Sequence, residues 1–306
     1  MNVQEFRQHF LDRVSRELDL EVSSLDLFLA AFWSKQHVLL EGPPGTGKST
    51  LAKCLADMIG GWARIQMNTD VTPADILGME VLVSSSPVKM EFREGPVFSR
   101  LLMVDEINRA LPKTQSALLQ AMEERQVEIG GQSRTLDPHF FVVATQNPYD
   151  MDGTYLLPMS QMDRFGIVLS LGVSMGGALE RRLRFLFNKS SQEQMSQSLS
   201  PQVLGELPCL ESLKVSPDWF RVIKGLQEAL LRENFKDGSE PRPLSLRAWK
   251  GWLDLSVALS RLRGHDHLST ACLRESLLPC LAHRVLDAKS DDVEKALLKA
   301  FDRLTT

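Results

Sequence analysis

The run Gly42-Pro43-Pro44-Gly45-Thr46-Gly47-Lys48-Ser49 constrains this chain more than any other segment. It fits the spacing GxxxxGK[ST] in full. A short apolar run, His37–Leu40, precedes it, and a helical pattern from about Lys48 to Met58 follows. The sequence therefore predicts a buried strand, a tight loop and a helix. Glycines allow successive backbone N–H groups to turn toward phosphate oxygens, and the helix adds its positive N-terminal end. Lys48 is then placed for the β- and γ-phosphates, and the Ser49 hydroxyl for Mg²⁺. Thr50 closes the expected nucleotide-binding segment.

A second run complements the first. Leu101-Leu102-Met103-Val104 drives a strand through the core, and Asp105 and Glu106 emerge at its end. Asp105 suits Mg²⁺, directly or through its waters, and Glu106 suits the polarisation of an attacking water. Two acids after a strand are often a solvated turn, but a phosphate loop upstream gives them a task. Phe140–Thr145 leads likewise to Gln146-Asn147-Pro148, where the Asn147 amide can orient water or touch a γ-phosphate. Asn-Pro by itself is commonly a turn.

The remaining chain alternates strands and helices before turning all-helical. Phe6, Phe10, Leu11, Val14 and Leu18 recur at helical spacing, and Ser23 or Ser24 is placed to cap a second helix over Leu25–Trp33. Further strands are expected at Arg64–Met67, Leu101–Val104, Phe140–Ala144 and Ile167–Leu169. Hairpins are expected at Ile76–Phe92, with a turn at Ser84–Pro87, and at Gln126–Leu136 around Gly130-Gly131. Leu179–Phe187 reads as helix, and the Ser- and Gln-rich stretch Asn188–Ser200 as linker. Three apolar stripes follow, led by Trp219, Leu246 and Val293. The division expected is an α/β domain over 1–187, a linker over 188–215 and a helical domain over 216–306, the first a parallel sheet with helices on both faces.

Composition narrows the function. A net charge of −4 argues against a sequence-independent grip on nucleic acid. The four cysteines form no CxxC pair and have no histidine at zinc spacing, and the six histidines show no HExxH pattern. The first 18 residues mix acids and bases without an apolar core, and no stretch approaches a membrane span, so a soluble cytoplasmic protein is expected. Trp249 and Trp252 read as core packing. Arg181, Arg182 and Arg184 read as a solvated helix face, with a subunit or phosphate contact as the sharper alternative.

Taken together, GPPGTGKS, VDEINRA, ATQNP and Asp163-Arg164-Phe165 resemble the AAA+ ATPases and, within them, the MoxR family. The resemblance runs from about residue 20 to the end. It implies a P-loop sheet domain with a helical lid, ATP and Mg²⁺ as ligands, and a ring, usually a hexamer, with ATP at subunit boundaries. Asn147 matches the sensor 1 position and Arg164 the arginine finger that acts on a neighbour. Arg247, in Pro243-Leu244-Ser245-Leu246-Arg247-Ala248, resembles sensor 2, which would report nucleotide state to the lid. The two hairpins resemble inserts that face the pore or a client. Leu244-Ser245-Leu246 before Arg247, and Pro158-Met159-Ser160-Gln161 before the finger, depart from the family's usual Gly-Ala-Ser-Pro-Arg and Pro-Glu-Ala-Gln. Such proteins commonly work with partners bearing a von Willebrand factor A domain. The function expected is ATP hydrolysis coupled to partner remodelling. The alternatives are a nucleic-acid motor or loader and a nucleotide-gated scaffold that barely hydrolyses.

Overall fold

A computed structural model describes residues 2–85, 88–150, 153–172, 217–232, 243–285 and 291–305. Helix α1 (Val3–Glu17) starts at a capping box. The Asn2 side chain accepts from the Glu5 N–H, and the Glu5 carboxylate accepts from the Asn2 N–H. Helix α2 (Val22–Trp33) begins earlier than Ser23 or Ser24 would set it, and no side chain caps it. Its stability comes from burial: every residue from Leu25 to Trp33 is buried, on all sides of the helix. The one charge in that run, Asp26, is held by Arg7 from α1 and by Arg263 from the C-terminal helices.

Five strands form one parallel sheet in the order β2-β5-β8-β1-β9. They are β1 (Val38–Glu41), β2 (Trp62–Gln66), β5 (Leu101–Asp105), β8 (Phe141–Gln146) and β9 (Ile167–Ser170). Each expected strand is present, shifted at its ends by one or two residues. The central strands are buried on both faces, which is why they read as continuous apolar runs. One face, with Val38, Leu40, Met103, Phe141 and Val143, packs on α1, α2 and α3 (Lys48–Ile59). The other, with Leu39, Leu102, Val104 and Val142, packs on α4 (Pro73–Leu77) and α5 (Pro112–Glu124).

Two antiparallel hairpins stand outside the sheet. The first pairs β3 (Gly78–Ser85) with β4 (Val88–Glu94). Ile76 is not part of it: a Thr72–Asp75 capping box and Pro73 start the short helix α4, which buries Ile76 in the core. The second pairs β6 (Gln126–Ile129) with β7 (Gln132–Thr135). Its turn, Gly130-Gly131, has φ of 61° and 74°, a conformation that favours glycine. The hairpins touch, with the Arg134 guanidinium 4.1 Å from the centre of the Phe92 ring.

The C-terminal part is helical: α6 (Met159–Met162) precedes β9, and α7 (Pro217–Arg232), α8 (Leu246–Leu262), α9 (Thr270–Val285) and α10 (Asp291–Thr305) follow it. Trp252 is fully buried, with its Nε1–H donated to the Leu273 carbonyl, and it lies edge-on to Trp249 and Phe301. Helix α8 lies along α2, and Gln36 bonds the Gly251 carbonyl at 2.7 Å. The apolar cluster on this side of the sheet therefore runs unbroken from α1 and α2 into α7–α10. The expected helix over Leu179–Phe187, the basic stretch within it and the linker lie outside the described residues. Among the described residues no helix is long and apolar enough to cross a membrane, no cluster of metal-ligating side chains of the His, Cys, Asp or Glu type forms, and the cysteines are buried and free.

Candidate active site

The loop between β1 and α3 supplies the centre of the site. Gly47, the residue before α3, has φ of 92°, and a Cβ there would lie 2.3 Å from Leu18 Cδ2. Glycine is thus required both by the turn and by the segment packed above it. The Lys48 Nζ donates to the carbonyls of Gly42 (2.7 Å) and Pro43 (2.8 Å). Burial lowers its pKa, and the nearby Asp105 and Glu106 charges oppose that shift. Thr46 turns inward to the Pro43 carbonyl.

Beside the loop, β5 ends in Asp105. Its Oδ1 accepts from Ser49 Oγ at 3.0 Å and from Thr145 Oγ1 at 3.2 Å. Hydroxyl and carboxylate oxygens at this separation form a hard donor set that suits Mg²⁺, so Ser49 and Asp105 fit the ion that the sequence implies. Its Oδ2 carries a guanidinium, with Arg64 Nε at 2.8 Å and Nη2 at 2.7 Å. Glu106 follows in the left-handed region, φ 55° and ψ 53°, with its N–H on Thr145 Oγ1. That backbone is uncommon for a residue with a side chain, and such strain clusters at functional positions. The Glu106 carboxylate accepts from Gln66 Nε2 at 2.7 Å and pairs with Arg109 at 3.2 Å. Arg109 also holds Asp150.

These groups surround one cavity of about 680 Å³. Pro44, Gly45, Thr46, Gly47, Lys48, Ser49, Thr50, Asp105, Glu106 and Asn147 all line it, with Glu17 and Leu18 at its edge. Gly42 and Pro43 border an adjoining cavity of about 580 Å³, which also includes Asn147. Asn147 Oδ1 accepts from the Tyr149 N–H, so the Asn-Pro segment is both a turn and a cavity wall.

Arg164 and Arg247 line neither of these cavities. They meet on Glu123 at the end of α5, around a separate cavity of about 280 Å³. Arg164 Nε donates to Glu123 Oε2 at 2.9 Å and its Nη1 to the Ser160 carbonyl at 2.7 Å, and Arg247 donates to Glu123 Oε1. Hydrogen bonding from Arg247, then the charges of Arg247 and Arg164, hold the Glu123 pKa below its usual range against a desolvation cost. Neighbouring Asp163 is held by Arg284 of α9. His37 lies beside the Glu123 cluster and lines the same cavity. Its Nδ1 accepts from the Val142 N–H in β8, and its Nε2–H is donated to the carbonyl of Met122, next to Glu123. Burial, with the charge of Arg125, lowers its pKa to about 3.

Comparison with known proteins agrees with this geometry. Residues 37–167 match the model of the ATPase family associated with various cellular activities (AAA). The chain is 30% identical to Chaperone MoxR1 of Mycobacterium tuberculosis over 90% of its own length and 74% of that protein's. It belongs to the MoxR family of AAA+ ATPases. A further match, 46% identical, is to the uncharacterized protein YeaC of Bacillus subtilis, over about half of each chain, 48% of this one and 46% of YeaC. A crystal structure from Cytophaga hutchinsonii, of a protein assigned as an ATPase, superposes with a TM-score of 0.81 at 26% identity, covering 99% of this chain and 95% of that one. The sheet with its helical C-terminal part is thus the architecture of the family.

Several polar groups at these two sites were not singled out by sequence reasoning. Arg64 and Gln66 sit on the edge strand β2, and the alternation Ala63-Arg64-Ile65-Gln66-Met67 was their one mark in the sequence. Thr145 precedes Asn147 by two residues, and Glu123 lies in an ordinary amphipathic helix.

Proposed function

We propose that this MoxR protein hydrolyses Mg²⁺–ATP in a hexameric cytoplasmic ring and uses the cycle to remodel a partner protein. The observation that carries the reading is the separation just described. Lys48, Ser49, Asp105, Glu106 and Asn147 share one cavity, while Arg164 and Arg247 stand together elsewhere on Glu123.

In this reading the backbone of Gly42 to Thr50 cradles the phosphates and Lys48 moves from loop carbonyls to phosphate oxygens. Magnesium at Ser49 and Asp105 would neutralise phosphate charge. Glu106 prepares the water and Asn147 aligns it. Arg164 offers its planar donors to the neighbour's γ-phosphate, where charge develops during transfer. Arg247, sharing Glu123 with Arg164, joins it on that face, so its nucleotide contact is also with the neighbour. The client side is supported by the exposed Met79, Leu82, Val83 and Met90 of the β3–β4 hairpin and by the chaperone name of the mycobacterial relative. A protein with a von Willebrand factor A domain is the partner we propose.

Mixing subunits tests the reading. Arg164→Ala retains Lys48, and Lys48→Ala retains Arg164. Each homo-oligomer should be inactive, and co-assembled rings should regain part of the ATPase rate. Mixed rings that stay silent would overturn the arrangement.

A further inference from the structure

Strand β2 is the edge of the sheet, and its two faces differ. Ala63, Ile65 and Met67 pack toward α4 and α5, whereas Arg64 and Gln66 point the other way, into the P-loop cavity. In the parallel register Arg64 lies opposite Met103, so Asp105 stands one pleat further along β5. One pleat is about 6.6 Å, a span that an extended arginine side chain covers. Arg64 does so, and both Nε and Nη2 fall on the same oxygen, Oδ2 of Asp105.

That choice of oxygen matters. Oδ1 is left to Ser49 and Thr145, the side on which the donor set suits a hard cation. The two partners are also unequally buried: the Asp105 side chain is 5% exposed and that of Arg64 54%. An ordinary surface pair has two exposed members and little energetic consequence. Here a buried carboxylate stands in a cavity built to receive a polyphosphate, and Lys48 is directed to the loop where phosphates are cradled. A bare carboxylate there repels the ligand's charge, while a paired one does not.

We propose that Arg64 is the standing counter-ion and positioning residue of Asp105. It holds Oδ1 toward Ser49, offsets the carboxylate charge seen by incoming phosphates, and so sets how strongly nucleotide affinity depends on Mg²⁺. The inference rests on the P-loop reading of the cavity. It assigns Arg64 no contact with the reacting atoms.

The test is calorimetric binding of AMP-PNP, a non-hydrolysable ATP analogue, to the full chain in EDTA and in excess Mg²⁺. In Arg64→Gln the metal-free affinity should fall about tenfold, since one screened charge facing the phosphates is lost. The affinity in Mg²⁺ should stay within about threefold, because the ion itself then neutralises Asp105. The ratio of the two affinities therefore widens. Arg64→Lys keeps the charge, is the milder change at an exposed edge, and should restore much of the metal-free binding. A pure strand tether predicts something else: a lower melting temperature with both affinities unchanged or scaled alike, and that outcome overturns the proposal. If wild-type protein binds AMP-PNP in neither condition, the P-loop reading itself fails. Binding in Mg²⁺ with an unchanged ratio in both variants leaves that reading intact and removes Arg64 alone.

Discussion

The P-loop cavity and the Glu123 cluster are built on opposite plans. In the cavity, acids and bases from β2, β5, β8 and the glycine loop interlock: Asp105 with Ser49, Thr145 and Arg64, and Glu106 with Gln66 and Arg109. In the cluster, two guanidiniums crowd onto one carboxylate, and the glycine-loop backbone lines a different space. A site of the first kind can bind nucleotide within one protomer. A site of the second kind holds surplus positive charge that suits a phosphate brought by something else. The difference teaches that binding and turnover need not be complete in the same subunit, and it can be broken at either end.

The largest effect is expected at Glu106. Glu106→Gln should lower turnover by about 10²–10⁴, the usual reach of a positioned general base, while nucleotide affinity changes little. Steady-state ATPase assays beside binding isotherms check this, and near-normal turnover would mean that another group prepares the water. Next is Arg247→Ala. If Arg247 belongs with Arg164 on the neighbour-facing side, turnover should fall about a hundredfold, as when one preorganised donor is lost, with protomer affinity for ATP unchanged. Weakened ATP binding in the isolated protomer would return Arg247 to its own chain's nucleotide and dissolve the contrast. A smaller effect is expected for Glu123→Gln. Its two pairs are partly solvent-exposed, so stability should drop by no more than about 1 kcal/mol in urea titrations, and ATP affinity should stay within about twofold.

The last effect shows only as a slope with pH and concerns His37, which lies beside the Glu123 cluster and bonds the Met122 carbonyl. Its folded-state pKa, about 3, lies below the 6.5 of an ordinary histidine. The unfolded chain therefore takes up a proton that the folded one refuses, and stability is full above about pH 7 and declines as pH falls below 6.5. Between pH 7.5 and 5.5 this group should remove about 1.4 kcal/mol from the unfolding free energy. His37→Gln should lose that part of the slope. Equal slopes in the two proteins would show that His37 is not the source.

Much of this architecture was legible beforehand because its signals are local. Buried parallel strands must be apolar on both faces, so β1, β5 and β8 announced themselves as runs, and the glycine loop is spelled out by spacing. Helix α2 was legible by its apolar content and not by its start, since burial rather than a serine cap fixes it. The first hairpin starts later than the sequence suggests, because apolar Ile76 reads like strand until Thr72, Pro73 and Asp75 are recognised as a helix start. The contacts of Arg64 with Asp105, and of Arg164 and Arg247 with Glu123, bridge 41 or more positions along the chain. Such pairs leave no periodicity and no motif. A lone charge on an edge strand looks like solvent exposure until the register brings an acid beside it.

Helix α2 has a mechanical consequence. It carries the edges of Phe28 and Phe32 against Phe141 of the sheet on one side and lies along α8 on another. It works as a keystone: sliding the C-terminal helices away from the sheet would uncover it. Apolar surface wetted in that way carries a penalty that grows with every square ångström. The described helices and the sheet should therefore melt in a single cooperative step, and a stroke driven by nucleotide would pass through this layer as a tilt of the whole body rather than as the swing of a loose flap.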